Sequence, residues 1–259
     1  MAREGFVYRG EASISPEEDA VMNLKITMAA MGLGLWVMGL LITPSAMAMS
    51  LDFNISAPTS GTVSYNGLVG GGLVGSNIEV DNVVGLSTPA NAGGAGAPCI
   101  SCALNFSTGG LTGYGGPNPN NSGWWSFASG GTVTITGGVQ LQGGSDIALG
   151  STLLNGTFNS AFVQDLGSQG FKVTFGTFFD TKHPDLLAYY GLTPGTPFQG
   201  AFTLLFASPN PGPGGAFTST SVFSGNVVNT VVPLPAAALF FGSGLLGLAG
   251  ALRKKLTLA

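Results

Sequence analysis

The sequence predicts an all-β protein: an antiparallel β-sandwich or jelly-roll-like domain, flanked by an N-terminal signal peptide and a C-terminal transmembrane helix. Two observations in residues 49–230 predict the domain. Apolar and polar residues alternate in short segments, which is typical of half-buried strands. Gly, Pro, Asn or Ser bound each segment and supply the geometry of turns. About 180 residues are enough to bury a core.

The alternation is clearest in residues 51–56 and 131–136. Further segments of strand character are residues 78–81, 102–107, 124–128, 139–142, 156–163, 171–175, 201–207 and 217–222. A short helix is predicted over residues 184–190, with Pro184 in its first turn. Many residues that break helices and strands predict loops at residues 89–98, 109–123 and 209–215. Residues 227–232 are predicted to link the domain to the tail.

The body of the chain is acidic and poor in charge. Charged residues are 8% of the 259 residues, against about 25% in an ordinary soluble domain. Between residues 50 and 252 the cations are Lys172 and Lys182. The acidic residues there are Asp52, Glu79, Asp81, Asp146, Asp165, Asp180 and Asp185. A body without clustered Lys and Arg excludes a nucleic-acid-binding protein.

Residues 22–48 have the features of a secretory signal peptide. A basic residue, Lys25, precedes an apolar run, and a helix-breaking proline follows the run. The segment closes with Ala46 and Ala48, the small residues of a cleavage site, so cleavage is expected after Ala48. An uncleaved membrane anchor is the alternative. Residues 1–21 are charged and aperiodic, and we interpret them as an over-extended start or a long n-region.

The last segment, residues 231–259, has three parts in a fixed order. Pro233 and Pro235 prevent a helix from extending backwards. The apolar run 236–252 would be about 26 Å long as a helix, slightly less than a hydrocarbon core of about 30 Å. The cations that follow, which hold that end on the cytoplasmic side, are Arg253, Lys254 and Lys255. A simple C-terminal anchor is one interpretation.

A proline motif, an apolar helix and a basic end, in a protein with a signal peptide, resemble the PEP-CTERM sorting signal of Gram-negative bacteria. The motif begins Val232-Pro233-Leu234-Pro235, and the family usually has Glu where this chain has Leu234. The resemblance covers about the last tenth of the chain. It implies cleavage near the prolines by a membrane-embedded, exosortase-like transpeptidase. It also implies delivery to an exopolysaccharide-rich envelope, and nothing about the fold ahead of the tail.

Cys99 and Cys102 are the only cysteines. A C-x-x-C pair in the cytosol indicates a thioredoxin-like site or half of a zinc site. Here there is no second pair and no βαβ pattern, and export favours oxidation, so a local disulfide is predicted. Because the closed loop is very small, the disulfide is expected to stabilise the protein modestly and to fix a turn before the strand at residues 103–107.

Two other patterns have a structural interpretation. Residues 70–75 match G-x-G-x-x-G, but without the helix and the acidic residue of a dinucleotide site, so a flexible glycine turn is predicted. His183 is the single histidine and lacks a nucleophile elbow or distant partners for a triad. It is predicted to cap the helix that starts at Pro184.

The carboxylates are candidates for two kinds of site. Paired carboxylates in a secreted hydrolase would come from Asp146, Asp165 and Asp180. A calcium cluster on early strands would use Asp52, Glu79 and Asp81. No spacing matches a known calcium loop, so a solvated surface position is expected for each. The sequence predicts no metal, no cofactor and no catalytic residue.

Trp124 and Trp125 are candidates for contact with a glycan, together with Tyr114. Neighbouring residues of a strand point to opposite faces, so one tryptophan is expected in the core and the other at the surface. An exposed indole can stack on a sugar ring.

These patterns together predict an exported, non-enzymatic protein of the cell surface or extracellular matrix, transiently membrane-anchored and structural or adhesive in role. The expected partners are the export translocon, the exosortase-like transpeptidase, exopolysaccharide, and the membrane through the C-terminal helix. A carbohydrate-binding module and a secreted hydrolase are the alternatives.

Overall fold

The computed structural model describes residues 48–94, 96–116, 123–143, 146–209 and 212–232. Several predictions therefore fall outside the described residues. They are the nature of residues 1–21, the signal peptide up to Met47, and the sorting tail from Pro233 onwards.

The described residues form twelve strands and one α-helix. The strands are β1 (Ser50–Ile55), β2 (Thr62–Tyr65), β3 (Gly72–Leu86), β4 (Ala97–Gly115), β5 (Trp124–Phe127), β6 (Gly131–Val139), β7 (Ile147–Phe158), β8 (Ala161–Asp165), β9 (Phe171–Lys182), β10 (Phe198–Ala207), β11 (Phe217–Thr218) and β12 (Ser221–Val231). The α-helix is α1 (Pro184–Tyr189).

Antiparallel pairing joins eight of these strands into a closed ring, in the order β3, β1, β12, β10, β9, β7, β6, β4 and back to β3. The long strands β4 and β9 continue past this ring. There β5 pairs with β4, β8 pairs with β5, and β8 returns to β9. On another side β2 pairs with β3, and β11 pairs with β2. The predicted antiparallel all-β class is confirmed.

Aromatic side chains fill the space between facing strands. Phe106 of β4 and Phe202 of β10 lie four pairings apart in the ring, yet their ring centroids are 5.5 Å apart. Phe175 of β9 lies between Phe158 and Phe202, with centroids at 4.3 and 4.5 Å. Opposite walls therefore meet in one core, which makes the domain sandwich-like.

Helix α1 forms where the sequence predicts a helix, and it ends one residue earlier than predicted, with Tyr190 as its C-cap. His183 is its N-cap, and its Nδ1 accepts a hydrogen bond from the Asp185 N–H at 3.3 Å. Leu186 and Leu187 are buried beneath the helix. The Tyr190 hydroxyl donates to the Val83 carbonyl oxygen at 2.6 Å, which ties the helix end to β3.

Several predicted boundaries are wrong. Residues 227–232, predicted as a linker, lie mostly in β12, which pairs with β1 and β10. Residues 109–115, predicted as a loop, continue β4 because they pair with β3 and β5. The glycines of residues 109–115 favour a loop by local preference, but pairing with the neighbouring strands satisfies the backbone there and overrides that preference.

Residues 156–163, which were predicted to form one strand, are the end of β7, a tight turn and the start of β8. The short strand β2 was not predicted at all. The glycine-rich residues 70–75 form a turn closed by the Gly71 N–H and the Leu68 carbonyl at 2.9 Å, and then enter β3. The predicted glycine turn is therefore present, but it is shorter than expected.

Candidate functional site

The two neighbouring tryptophans point to opposite sides of β5, as the alternation predicted. Trp125 is fully buried and packs against Phe171 and Phe217, with ring centroids 5.9 and 5.5 Å away. Trp124 is 38% exposed on the outer face. Trp125 therefore belongs to the core, and Trp124 remains as the predicted glycan contact.

A second exposed ring lies beside Trp124. Phe162 of β8 is 42% exposed, and its ring lies 6.0 Å from the Trp124 ring at an interplanar angle of 23°. On the other side of Trp124, Gly113 and Gly115 of β4 leave room for the indole, since a Cβ at Gly115 would collide with it. The two rings form one apolar surface, which we call the aromatic platform.

Sequence reasoning missed Phe162. The reason is that residues 156–163 read as a single strand, in which the position of Phe162 relative to β5 is undefined. Tyr114, which was grouped with the tryptophans, does not join the platform. It pairs with Trp125 across β4 and β5, so it faces the side opposite Trp124, and its ring lies over Gly214.

Backbone register extends the platform into two rows that cross the strands on the outer face. The Trp124 row runs through directly paired residues: Gly115, Trp124, Gln164, Lys172, Leu205 and Ser224. The adjacent Phe162 row runs through Gly113, Ser126, Phe162, Thr174, Thr203 and Asn226. Neighbouring residues in a row are about 4.8 Å apart, which is the spacing between strands.

Cys99 and Cys102 are bonded to each other, with Cα atoms 5.5 Å apart. They lie within β4, not in a turn before a strand as predicted. The pairing of β4 with β6 is irregular between Ile100 and Ala103, so the disulfide closes a β-bulge. Gly137 faces this bulge, where a Cβ would be 2.6 Å from the Cys102 Cα.

Removing the disulfide should cost little. For a loop of this size, chain-entropy arguments give a loss of about 2 kcal/mol in the free energy of unfolding. We expect urea denaturation to show this loss when the Cys99→Ala/Cys102→Ala variant is compared with the oxidised wild-type protein. Adding a reductant to the wild-type protein should produce the same shift, and should leave the variant unchanged. A loss of the cooperative transition in either case would contradict a merely local role.

The three carboxylates considered for hydrolysis lie far from one another. Asp165 pairs with Phe171 at one end of β9, whereas Asp180 lies nine residues further along that strand. Asp165 is 5% exposed and accepts from the Gly167 N–H at 2.8 Å. Asp146 accepts from the Leu141 N–H at 3.0 Å in the turn before β7. The structure therefore does not bring them together as a catalytic pair.

The early carboxylates have separate local partners. Asp52 accepts from the Ser50 hydroxyl at 3.2 Å, and Asp81 accepts from the Ser56 N–H at 2.7 Å. Burial raises the pKa of Asp52, and the Ser50 hydroxyl opposes that rise. Within the described ranges, no three Asp, Glu, His or Cys side chains are grouped as metal ligands.

Asp180 and Lys182 form a salt bridge in the interior, with both side chains fully buried. The prediction of a solvated Asp180 is therefore wrong. Burial lowers the pKa of Lys182 to about 8, and the Asp180 charge opposes this shift. Burial also raises the pKa of Asp180. The ammonium lies 3.9 Å from the centre of the Phe198 ring, and Asp180 Oδ2 has no hydrogen-bond partner among the described residues.

Compared with known proteins, the chain matches no family model, no curated protein and no solved structure. Among the residues that the structure describes, no helix has the length and hydrophobicity needed to cross a membrane.

Proposed function

We propose that this chain is an exported protein of the cell surface or extracellular matrix, processed at both ends and structural or adhesive in an exopolysaccharide-rich envelope. In this proposal a sandwich or jelly-roll-like domain lies, in the precursor, between a signal peptide that is cleaved and a C-terminal membrane helix. It also includes release from that helix by an exosortase-like transpeptidase.

The bounds of the folded domain support this proposal. Strand β1 begins two residues after Ala48, and β12 ends two residues before Pro233. Met49 takes part in the fold, because its carbonyl accepts from the Val231 N–H at 2.8 Å. Cleavage after Ala48 and near the prolines would therefore release the whole domain without removing any strand.

Mass spectrometry of the cell-associated and secreted forms tests the processing. We expect a mature N-terminus at Met49 and a mature C-terminus near Pro235. Substituting Pro233 and Pro235 by Ala should leave the N-terminus unchanged and retain the C-terminal residues through Lys255. If the wild-type protein keeps Lys255 in every fraction, sorting is excluded and the tail is an ordinary anchor.

Carbohydrate binding is the second candidate function, and the aromatic platform favours it. The rings of Trp124 and Phe162 are 38% and 42% exposed and lie nearly parallel, so they present one continuous aromatic surface to solvent. Aromatic faces bind the apolar face of a sugar ring while the hydroxyls find polar neighbours. Gln164 and Ser126 flank the rings and offer such hydrogen-bonding groups.

We expect Trp124→Ala to weaken glycan binding by about tenfold, because it removes the larger of the two rings on which a sugar can stack. Glycan-array binding followed by calorimetry measures this. The matched control is Phe179→Ala, since Phe179 is 66% exposed on β9 but belongs to neither row. Equal loss in both variants would contradict a role for the platform. Trp125→Ala is unsuitable as a test, because Trp125 is in the core.

A further inference from the structure

The Trp124 row contains one cation and no carboxylate. Lys172 is half-buried on the outer face of β9, directly paired with Gln164, which is itself directly paired with Trp124. In the part of the chain that the structure describes, the Lys172 ammonium has no ion-pair partner. The twelve residues of the two rows otherwise carry no charge.

An unpaired lysine is notable in this protein because the domain is acidic. The second lysine, Lys182, is buried and paired with Asp180. Asp52, Glu79 and Asp81 lie on β1 and β3, away from the strands that carry Trp124, Gln164 and Lys172. The nearest carboxylate along the strands is Asp165, which follows Gln164 on β8 and therefore points to the opposite face, is 5% exposed and accepts from the Gly167 N–H. Lys172 is therefore the one charged side chain on the outer face of the two rows, and charges beyond about 8 Å are largely screened at physiological ionic strength.

The spacing fits an extended polymer that crosses the strands. Trp124 and Lys172 are two strand spacings apart, or about 10 Å. That is the length of a disaccharide. When one sugar of the polymer stacks on Trp124, a substituent of the first or second sugar after it reaches the Lys172 ammonium. Gln164 lies between them and can donate to, or accept from, the hydroxyls of the intervening linkage.

We propose that the two rows bind an acidic polysaccharide that contains uronic acids, with one sugar stacked on the aromatic platform and a uronate carboxylate paired with Lys172. This inference rests on the carbohydrate-binding function proposed above and adds the class of ligand. The carboxylate is recognised because it neutralises a partly desolvated cation that lacks a protein partner. The polymer runs across the strands, from β5 towards β10.

Calorimetry with two matched probes tests the proposal: a mannuronate hexamer and the mannose hexamer obtained by reducing its carboxyl groups. The full-length protein should bind the acidic hexamer about twofold to fivefold more tightly, as expected for one partly exposed ion pair. Lys172→Gln should remove this preference, so that the two hexamers bind the variant with similar affinity. Lys172→Arg should retain the preference, which separates loss of charge from loss of fold.

Two results would overturn the inference, and they differ in what they mean for the proposed function. If both hexamers bind equally and Lys172→Gln has no effect, charge recognition is absent while carbohydrate binding stands. If neither hexamer binds and no neutral glycan binds on the array, carbohydrate binding fails together with the inference. A preference that weakens with added salt and disappears in Lys172→Gln supports it.

Discussion

Phe175→Ala should lower the free energy of unfolding by about 3–5 kcal/mol. Phe175 is 2% exposed at the centre of the aromatic core. Its ring is stacked between those of Phe158 and Phe202, and the Phe106 ring meets it edge-on at 4.8 Å. The substitution removes these contacts and leaves a cavity, and the surrounding strands are held by backbone pairing and cannot collapse into it.

Urea denaturation followed by tryptophan fluorescence measures this loss, since Trp125 is buried in the same core. Phe179→Ala is the matched control on the same strand, because Phe179 is 66% exposed. We expect the control to change the free energy of unfolding by less than about 0.5 kcal/mol. Similar losses in the two variants would mean that Phe175 does not lie in the core between β9 and the facing strand β4.

Asp180→Ala should be the second large effect, a loss of about 3–5 kcal/mol, because it leaves the Lys182 ammonium buried without its counter-charge. The Phe198 ring then remains as its nearest favourable contact. Asp185→Ala is the control, since the Asp185 carboxylate is 68% exposed and should contribute less than about 1 kcal/mol. Equal, small losses for both variants would show that water reaches the Asp180 site.

The double variant Asp180→Leu/Lys182→Met distinguishes the cost of one unpaired buried charge from the cost of burying the charged pair. Removing both charges together removes both desolvation costs, so the double variant should recover most of the stability lost in Asp180→Ala. Asp180 Oδ2 has no hydrogen-bond partner among the described residues, and the double variant removes the cost of burying it as well.

The pH dependence of the same pair provides an independent check. Burial lowers the pKa of Lys182 from 10.5 to about 8, so between these two values the unfolded chain retains a proton that the folded protein has lost. Stability then rises with pH over that window, relative to the double variant. Burial raises the pKa of Asp180, so its contribution to stability rises as the pH falls through that raised value. If the difference in the free energy of unfolding between the wild-type protein and the double variant stays constant from pH 7 to pH 10, the burial of Lys182 is contradicted.

The candidate site shows how far local patterns reach. Alternation correctly predicted that one of Trp124 and Trp125 is buried and the other exposed, because the two-residue period of a strand depends only on neighbouring residues. The structure shows that the buried one is Trp125. Nothing in the local pattern pointed to Phe162, Gln164 or Lys172 as neighbours of Trp124. Their positions depend on the register of β5 against β8 and of β8 against β9, which no segment carries by itself.

The burial of Asp180 and Lys182 has a similar cause. Phe171, Val173 and Phe175 face the core, and continuing that alternation would turn Asp180 and Lys182 outward. The pairing of β9 with β10 is irregular between Gly200 and Phe202, so the residues Gly176 and Thr177 face a single residue of β10. This bulge shifts the alternation by one position and turns the charged pair inward.

The sequence alone determined the all-β class, the opposite facing of the two tryptophans, the cap at His183 and the local pairing of the cysteines. Each of these depends on residues close together in the chain, whose geometry is set by period, turn chemistry or loop size. The tertiary structure alone decided which strands are neighbours. It brought β1 beside β12, inserted the bulge in β9 and aligned Trp124, Gln164 and Lys172 in one row. These features rest on backbone pairing between distant segments, where burial of the shared core selects the register.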